Sequence, residues 1–166
     1  VRKFVLGLLA LLTLTAEGSA YAQAPAPCDA IARPWQNAAT TISATTTSDA
    51  ANPVIEPGQA VMLQLHPDHE VGFVTLPSGQ GEESSFAGLA TLRITTAGRY
   101  LVGVSEPAWI DIADHGLPVA TVAFGPGPQC SGIRKGVSFD LPAGMLILEL
   151  SGNLTDRIGV TLIPTP

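Results

Sequence analysis

From Val54 to the end of the chain, apolar residues come in short alternating runs, each closed by Gly, Pro, Asp or Asn. That rhythm constrains the fold more than any other feature. An amphipathic helix places apolar residues every third or fourth position over ten or so residues, whereas strict alternation over a short run buries one face of a strand. Val61, Leu63 and Leu65 share one face of the run 60–65, and Val71, Phe73 and Thr75 share one face of the next. Phe86, Ala90, Leu92 and Ile94 do the same over a longer segment, followed by Tyr100, Val102 and Val104. Further runs lie at 109–113, 119–124, 135–141, 145–150 and 158–163. About nine strands at roughly ten-residue spacing predict an all-β chain, a single antiparallel β-sandwich or jelly-roll-like domain. No segment offers a helical stripe.

The N-terminal part reads differently. Arg2 and Lys3 precede an apolar run from Phe4 to Leu14, then small residues that include Ala20-Tyr21-Ala22 and Ala22-Gln23-Ala24. This is the pattern of a secretory signal peptide. Cleavage after Ala22 is favoured, because cleavage after Ala24 would put Pro25 directly behind the scissile bond. An anchor helix needs roughly 20 apolar residues, well beyond this run. A lipoprotein signal is disfavoured because Pro25-Ala26-Pro27 precedes Cys28. The expected organisation is a signal peptide at 1–22, an Ala/Thr/Pro-rich tail at 23–52 and a β-sandwich at 53–166. The tail is expected to be ordered only where Cys28, Trp35 and Ile42 dock.

Charge and cysteine content follow from that division. The chain has 8 Lys+Arg and 14 Asp+Glu, and without residues 1–22 it keeps 6 and 13, a net charge of −7. Nucleic acid is disfavoured as a partner, since a phosphate-binding surface needs clustered cations and Arg134-Lys135 is the only basic pair beyond the N-terminus. The same acidity disfavours anionic lipid, so a periplasmic or secreted protein is expected, without membrane insertion once the signal is cleaved. In an oxidising compartment an isolated cysteine pair is expected to form a disulfide. A Cys28–Cys130 bond would tie the tail to a loop about a hundred residues downstream, worth roughly 4–5 kcal/mol on the chain-entropy argument.

An internal similarity relates Ala97-Gly98-Arg99-Tyr100-Leu101-Val102-Gly103-Val104-Ser105 to Ala143-Gly144-Met145-Leu146-Ile147-Leu148-Glu149-Leu150-Ser151, at an offset of 46. Both segments read as an Ala-Gly turn of a hairpin, with Gly supplying a positive φ. Duplication and two hairpins obeying one rule explain it equally well. The two segments, with "AWIDIADHG" between them, resemble small secreted β-sandwich modules related to bacterial pre-peptidase C-terminal domains. More narrowly, Ala108-Trp109-Ile110-Asp111, then Gly127-Pro128-Gln129-Cys130-Ser131-Gly132-Ile133-Arg134-Lys135, then Phe139-Asp140-Leu141 resemble a group of short exported bacterial proteins of unestablished function. Some of that group carry the name homogentisate 1,2-dioxygenase by transfer. The resemblance covers about residues 56–163 and implies a fold more firmly than an activity.

The transferred activity would require Fe(II) held by two His and one carboxylate with open positions, and the chain has three His in all. His66, Asp68, His69 and Glu70 form a weaker metal candidate, a surface loop that could hold Zn²⁺ or Cu²⁺. Pro67 opposes a helical frame there, and a solvated polar turn is the competing reading. His115, in Asp114-His115-Gly116, reads as a turn residue. Glu82 and Glu83 sit in a polar loop without an identifiable catalytic partner, and no Gly-x-Ser-x-Gly elbow, P-loop or dinucleotide fingerprint is present.

Trp109 and Asp111 alternate with Ile110 and Ile112, so if the isoleucines are core the Trp and the carboxylate face outward together. With Arg134 and Lys135 they form a candidate patch for a glycan or peptide. The alternative is that the disulfide-bound tail covers this face, so that Trp109 is core and Asp111 accepts a hydrogen bond or pairs with Arg134. The expected function is a noncatalytic binding or structural accessory module of the cell envelope, with an unidentified protein or glycan partner. A small periplasmic metal-binding protein is the alternative, and an enzyme ranks third.

Overall fold

The structure is a computed structural model and describes residues 41–49, 51–79, 81–82 and 84–166. The expected signal peptide, Trp35 and Cys28 lie outside these residues, and with Cys28 one end of the expected disulfide. The chain is all-β, two six-stranded sheets packed face to face. The first sheet runs β1 (Thr41–Ser43), β3 (Ala60–Gln64), β12 (Arg157–Pro164), β6 (Gly98–Val104), β10 (Lys135–Leu141), β9 (Thr121–Gly125). The second runs β2 (Val54–Ile55), β5 (Phe86–Ile94), β11 (Gly144–Asn153), β7 (Trp109–Asp114), β8 (Leu117–Pro118), with β4 (His66–Pro67) also paired to β5.

The alternation does its expected work in the core. Val61, Leu63 and Leu65, Tyr100, Val102 and Val104, Ile110 and Ile112, Val137, Phe139 and Leu141, Leu146, Leu148 and Leu150, and Ile158, Val160 and Leu162 all bury into one cluster between the sheets. Each apolar side chain so buried contributes about 1.5–3 kcal/mol relative to exposure. That burial outweighs the weak intrinsic preferences of the Gly-interrupted strands.

Four expectations are corrected. The sheets are mixed rather than wholly antiparallel, because β1 pairs parallel with β3 and β2 pairs parallel with β5. The sandwich begins by Thr41 rather than at 53: Ile42 packs against the core, Ala44 is buried, and Thr45 bridges Leu89 of the second sheet. Third, Val71–Thr75 is not a strand; only a 3₁₀ turn at Asp68–Glu70 and irregular backbone follow β4. Fourth, the run 119–124 forms a strand only from Thr121, as Thr121–Gly125 at the edge of the first sheet, and a separate short strand, Leu117–Pro118, precedes it in the second.

The repeated Ala-Gly segments are corners between sheets rather than hairpins within one. The first carries the chain from β5 to β6 and the second from β10 to β11, each time changing sheet. Gly144 needs its freedom at φ 149°, whereas Gly98 is not among the positive-φ residues. Tyr100 ties the first corner by donating its hydroxyl to the Thr96 carbonyl at 2.6 Å. Among the described residues a tight hairpin joins β7 to β8 through His115 (φ 48°) and Gly116 (φ 82°), as the Asp-His-Gly sequence predicts.

Candidate functional site

Two features of the second sheet build the site. The first is a pair of carboxylates. Glu149 of β11 and Asp111 of β7 are direct cross-strand partners on the outward face, a juxtaposition that repels unless each charge is satisfied separately. The segment 71–79 does so with its backbone. Glu149, 1% exposed, accepts the Val74 N–H at 2.5 Å, the Thr75 N–H at 3.2 Å and the Thr75 hydroxyl. Asp111 accepts the Ser78 N–H at 2.9 Å and the Ser78 hydroxyl at 3.0 Å. Charge-assisted bonds of this kind are the strong ones. They fit the departure of Val71–Thr75 from the strand pattern: the Val74 and Thr75 N–H groups go to the Glu149 carboxylate, and those of Val71 and Gly72 to the Asp68 and Thr46 carbonyls, instead of a ladder. Beneath the loop, Val71 and Phe73 close over Ala87, Leu89 and Ile147 in a second, smaller apolar cluster.

The loop carries the second feature, a cleft on the flank where β7 and β9 approach. Ser151 donates its hydroxyl to the Gly79 carbonyl at 3.3 Å, and the Trp109 indole packs on the backbone at Gly79 and Gly152. A Cβ on Gly79 would lie 2.1 Å from Trp109 Cε2, and one on Gly152 (φ +68°) would lie 2.9 Å from Cδ1. The indole is thereby fixed while remaining 43% exposed. It opens onto a cleft of about 340 Å³ lined by Ser78, Trp109, Ile110, Thr121, Phe124, Lys135 and Val137. Phe124, on the edge strand β9, is 79% exposed.

Lys135 is the cation of this cleft. Its Nζ stands 4.6 Å from the Trp109 ring centroid and donates to the Ala108 carbonyl at 2.7 Å, within the range of a cation–π contact. Partial burial pulls the ammonium below its ordinary 10.5, opposed by the nearby Asp111 carboxylate. Among the described residues the ion pairs are Arg93–Glu56, Arg99–Asp140 and His115–Asp114, so no described carboxylate lies within bridging distance of Lys135.

The expected patch is therefore divided. Trp109 and Lys135 meet in the cleft, Asp111 holds its wall through Ser78, and Arg134 is exposed outside the lining. Of the two roles expected for Asp111 beneath a cover, it takes that of hydrogen-bond acceptor and forms no pair with Arg134. The described cover on the outward face is the 71–79 loop. Phe124, Ser78 and Glu149 were missed by sequence reasoning, which treats an aromatic in an alternating run as core and an outward Glu as solvated. The signal available was β5, where Ala87 and Leu89 make the second face apolar too, as a covered sheet requires.

The metal candidate is dispersed into structural roles. His66 Nε2 is 2.9 Å from the Ala44 carbonyl. Asp68 accepts the Ser85 hydroxyl and the Gly152 N–H, each at 3.2 Å, while His69 and Glu70 are exposed. Among the described residues no group of three or more His, Cys, Asp or Glu is placed to hold a metal ion. Nor is any described helix long and apolar enough to cross a membrane. No family model matches the chain, and neither a curated protein nor a solved structure matches it.

Proposed function

We propose that this chain is an exported, noncatalytic β-sandwich module that binds its partner through the flank cleft, in the periplasm or outside the cell. One observation carries the reading: Trp109 and Phe124, two large aromatics that a soluble sandwich ordinarily buries, line one cleft and remain 43% and 79% exposed. Exposed aromatics gathered in a concave site are the usual anchors of recognition. The carboxylates of Asp111 and its cross-strand partner Glu149 are engaged by the loop donors, which supports binding over acid–base chemistry. The apolar N-terminal run and the Cys28/Cys130 pair support export, as does the resemblance to secreted pre-peptidase C-terminal-type modules.

The test uses a neutral apolar reporter, so that charge plays no part. Nile red should bind the exported protein with one saturable site, and Phe124→Ala and Trp109→Ala should each weaken it at least tenfold. Phe124→Ala serves as the folding control, since so exposed a side chain contributes within about 0.5 kcal/mol to stability. Reporter binding that both variants leave unchanged would sink the reading.

A further inference from the structure

We propose that the flank cleft is a carboxylate site, taking a ligand with an apolar, preferably aromatic, body and a terminal carboxylate that pairs with Lys135. This rests on the binding reading above and adds the chemical class of the ligand.

The argument begins with the ammonium. A lysine has three donors and no acceptor; Lys135 gives one to the Ala108 carbonyl at 2.7 Å and has no described carboxylate in bridging contact. Buried charges are ordinarily paired because an unpaired one loses hydration without compensation. A half-buried ammonium with donors unspent, lining a cleft, is a position built for an anion. The Trp109 ring at 4.6 Å holds the cation on one side without neutralising it.

Asp111 is the obvious competitor, and its geometry disposes of it. Its Oδ2 accepts both the Ser78 N–H and the Ser78 hydroxyl, and the carboxylate acts on the ammonium through space without bridging it. The remainder of the lining is Ile110, Val137, Thr121, Phe124 and the indole, which offers apolar contact and two aromatic surfaces against a single charge. A highly charged ligand such as a phosphate ester would find one cation where it needs several. A neutral apolar ligand would leave the ammonium unpaired. A single carboxylate on an apolar body satisfies both walls.

Such a carboxylate has two sources, a small organic acid or the C-terminus of a peptide chain laid along the open edge of β9. Calorimetric titration distinguishes them with 3-phenylpropionate, 3-phenylpropionamide, and N-acetyl-Ala-Ala-Phe as the free acid and as the C-terminal amide. At least one acid should bind about tenfold or more tightly than its amide. That ratio should collapse to about one in Lys135→Met, which keeps an apolar stem, and should persist in Arg134→Met. 3-Phenylpropionate binding alone assigns a small organic acid; the peptide acid binding more tightly assigns a chain terminus. Acid and amide binding equally, neither acid binding, or selectivity surviving Lys135→Met would each overturn the proposal. Nile red binding that persists in those cases would leave the flank a binding site for uncharged ligands, so the two failures are separable.

Discussion

Replacing Glu149 probes the joint between fold and site. Its carboxylate holds the Val74 N–H at 2.5 Å, the Thr75 N–H at 3.2 Å and the Thr75 hydroxyl, while itself almost wholly buried. Bonds to a charged acceptor contribute about 1.5–3 kcal/mol each, and donors left unpaired cost about 1–3 kcal/mol. Val74 and Thr75 are only half-buried, so water recovers part of the loss once the loop lifts. Relief of the cross-strand repulsion with Asp111 offsets a further fraction. Glu149→Ala is thus expected to destabilise by about 2–3 kcal/mol, a fall in Tm of roughly 5–10 °C for a domain of this size. Glu149→Gln keeps one acceptor but turns an amide toward a donor, and should cost about 1–2 kcal/mol. Urea unfolding measures the global change. Amide hydrogen exchange locates it: Val74, Thr75 and Ser78 should lose protection while the β11 amides keep theirs. A Glu149→Gln variant as stable as wild type, with those loop amides still protected, would refute the carboxylate clamp.

Three further outcomes are expected. Lys135 has its folded-state pKa lowered by burial, so between the folded value and the ordinary 10.5 the unfolded chain holds the extra proton and stability should rise with pH; Lys135→Met should lose that alkaline rise in urea melts taken across the range. Tyr100→Phe removes the hydroxyl bond to Thr96 that ties the β5–β6 corner and should cost about 1 kcal/mol by the same measurement. Non-reducing peptide mapping of the exported protein should find Cys28 joined to Cys130, and reduction should lower stability by up to roughly 4 kcal/mol; two alkylatable thiols would contradict the tether.

The core was legible because alternation is a direct consequence of strand geometry: Tyr100, Val102 and Val104 can face the same way only in an extended chain. The sheet assignments were not legible, since an Ala-Gly corner that changes sheet and one that closes a hairpin use the same residues. The loop at 71–79 was misread for a related reason. Val71 and Phe73 alternate like a strand because they do bury, but against the outer face of the second sheet rather than within it. The loop is held instead by Glu149, 75 residues away from Val74, whose N–H it accepts, and no local pattern reports a partner at that separation. Trp109 and Lys135 were legible as chemistry by alternation and charge. Their meeting was not, because β7 and β10 belong to different sheets and only the packed sandwich brings the ammonium over the indole. Phe124 was hidden by its edge position, since β9 is exposed along nearly its whole length despite an apolar sequence.

The central claim is that the flank cleft is where this protein binds. It is tested most directly by titrating 3-phenylpropionate into ¹⁵N-labelled protein and mapping the shifted resonances. The account predicts saturable shifts centred on the Trp109 indole and the amides of Ser78, Phe124 and Lys135, absent in Lys135→Met. Saturable shifts centred elsewhere on the sandwich would contradict it.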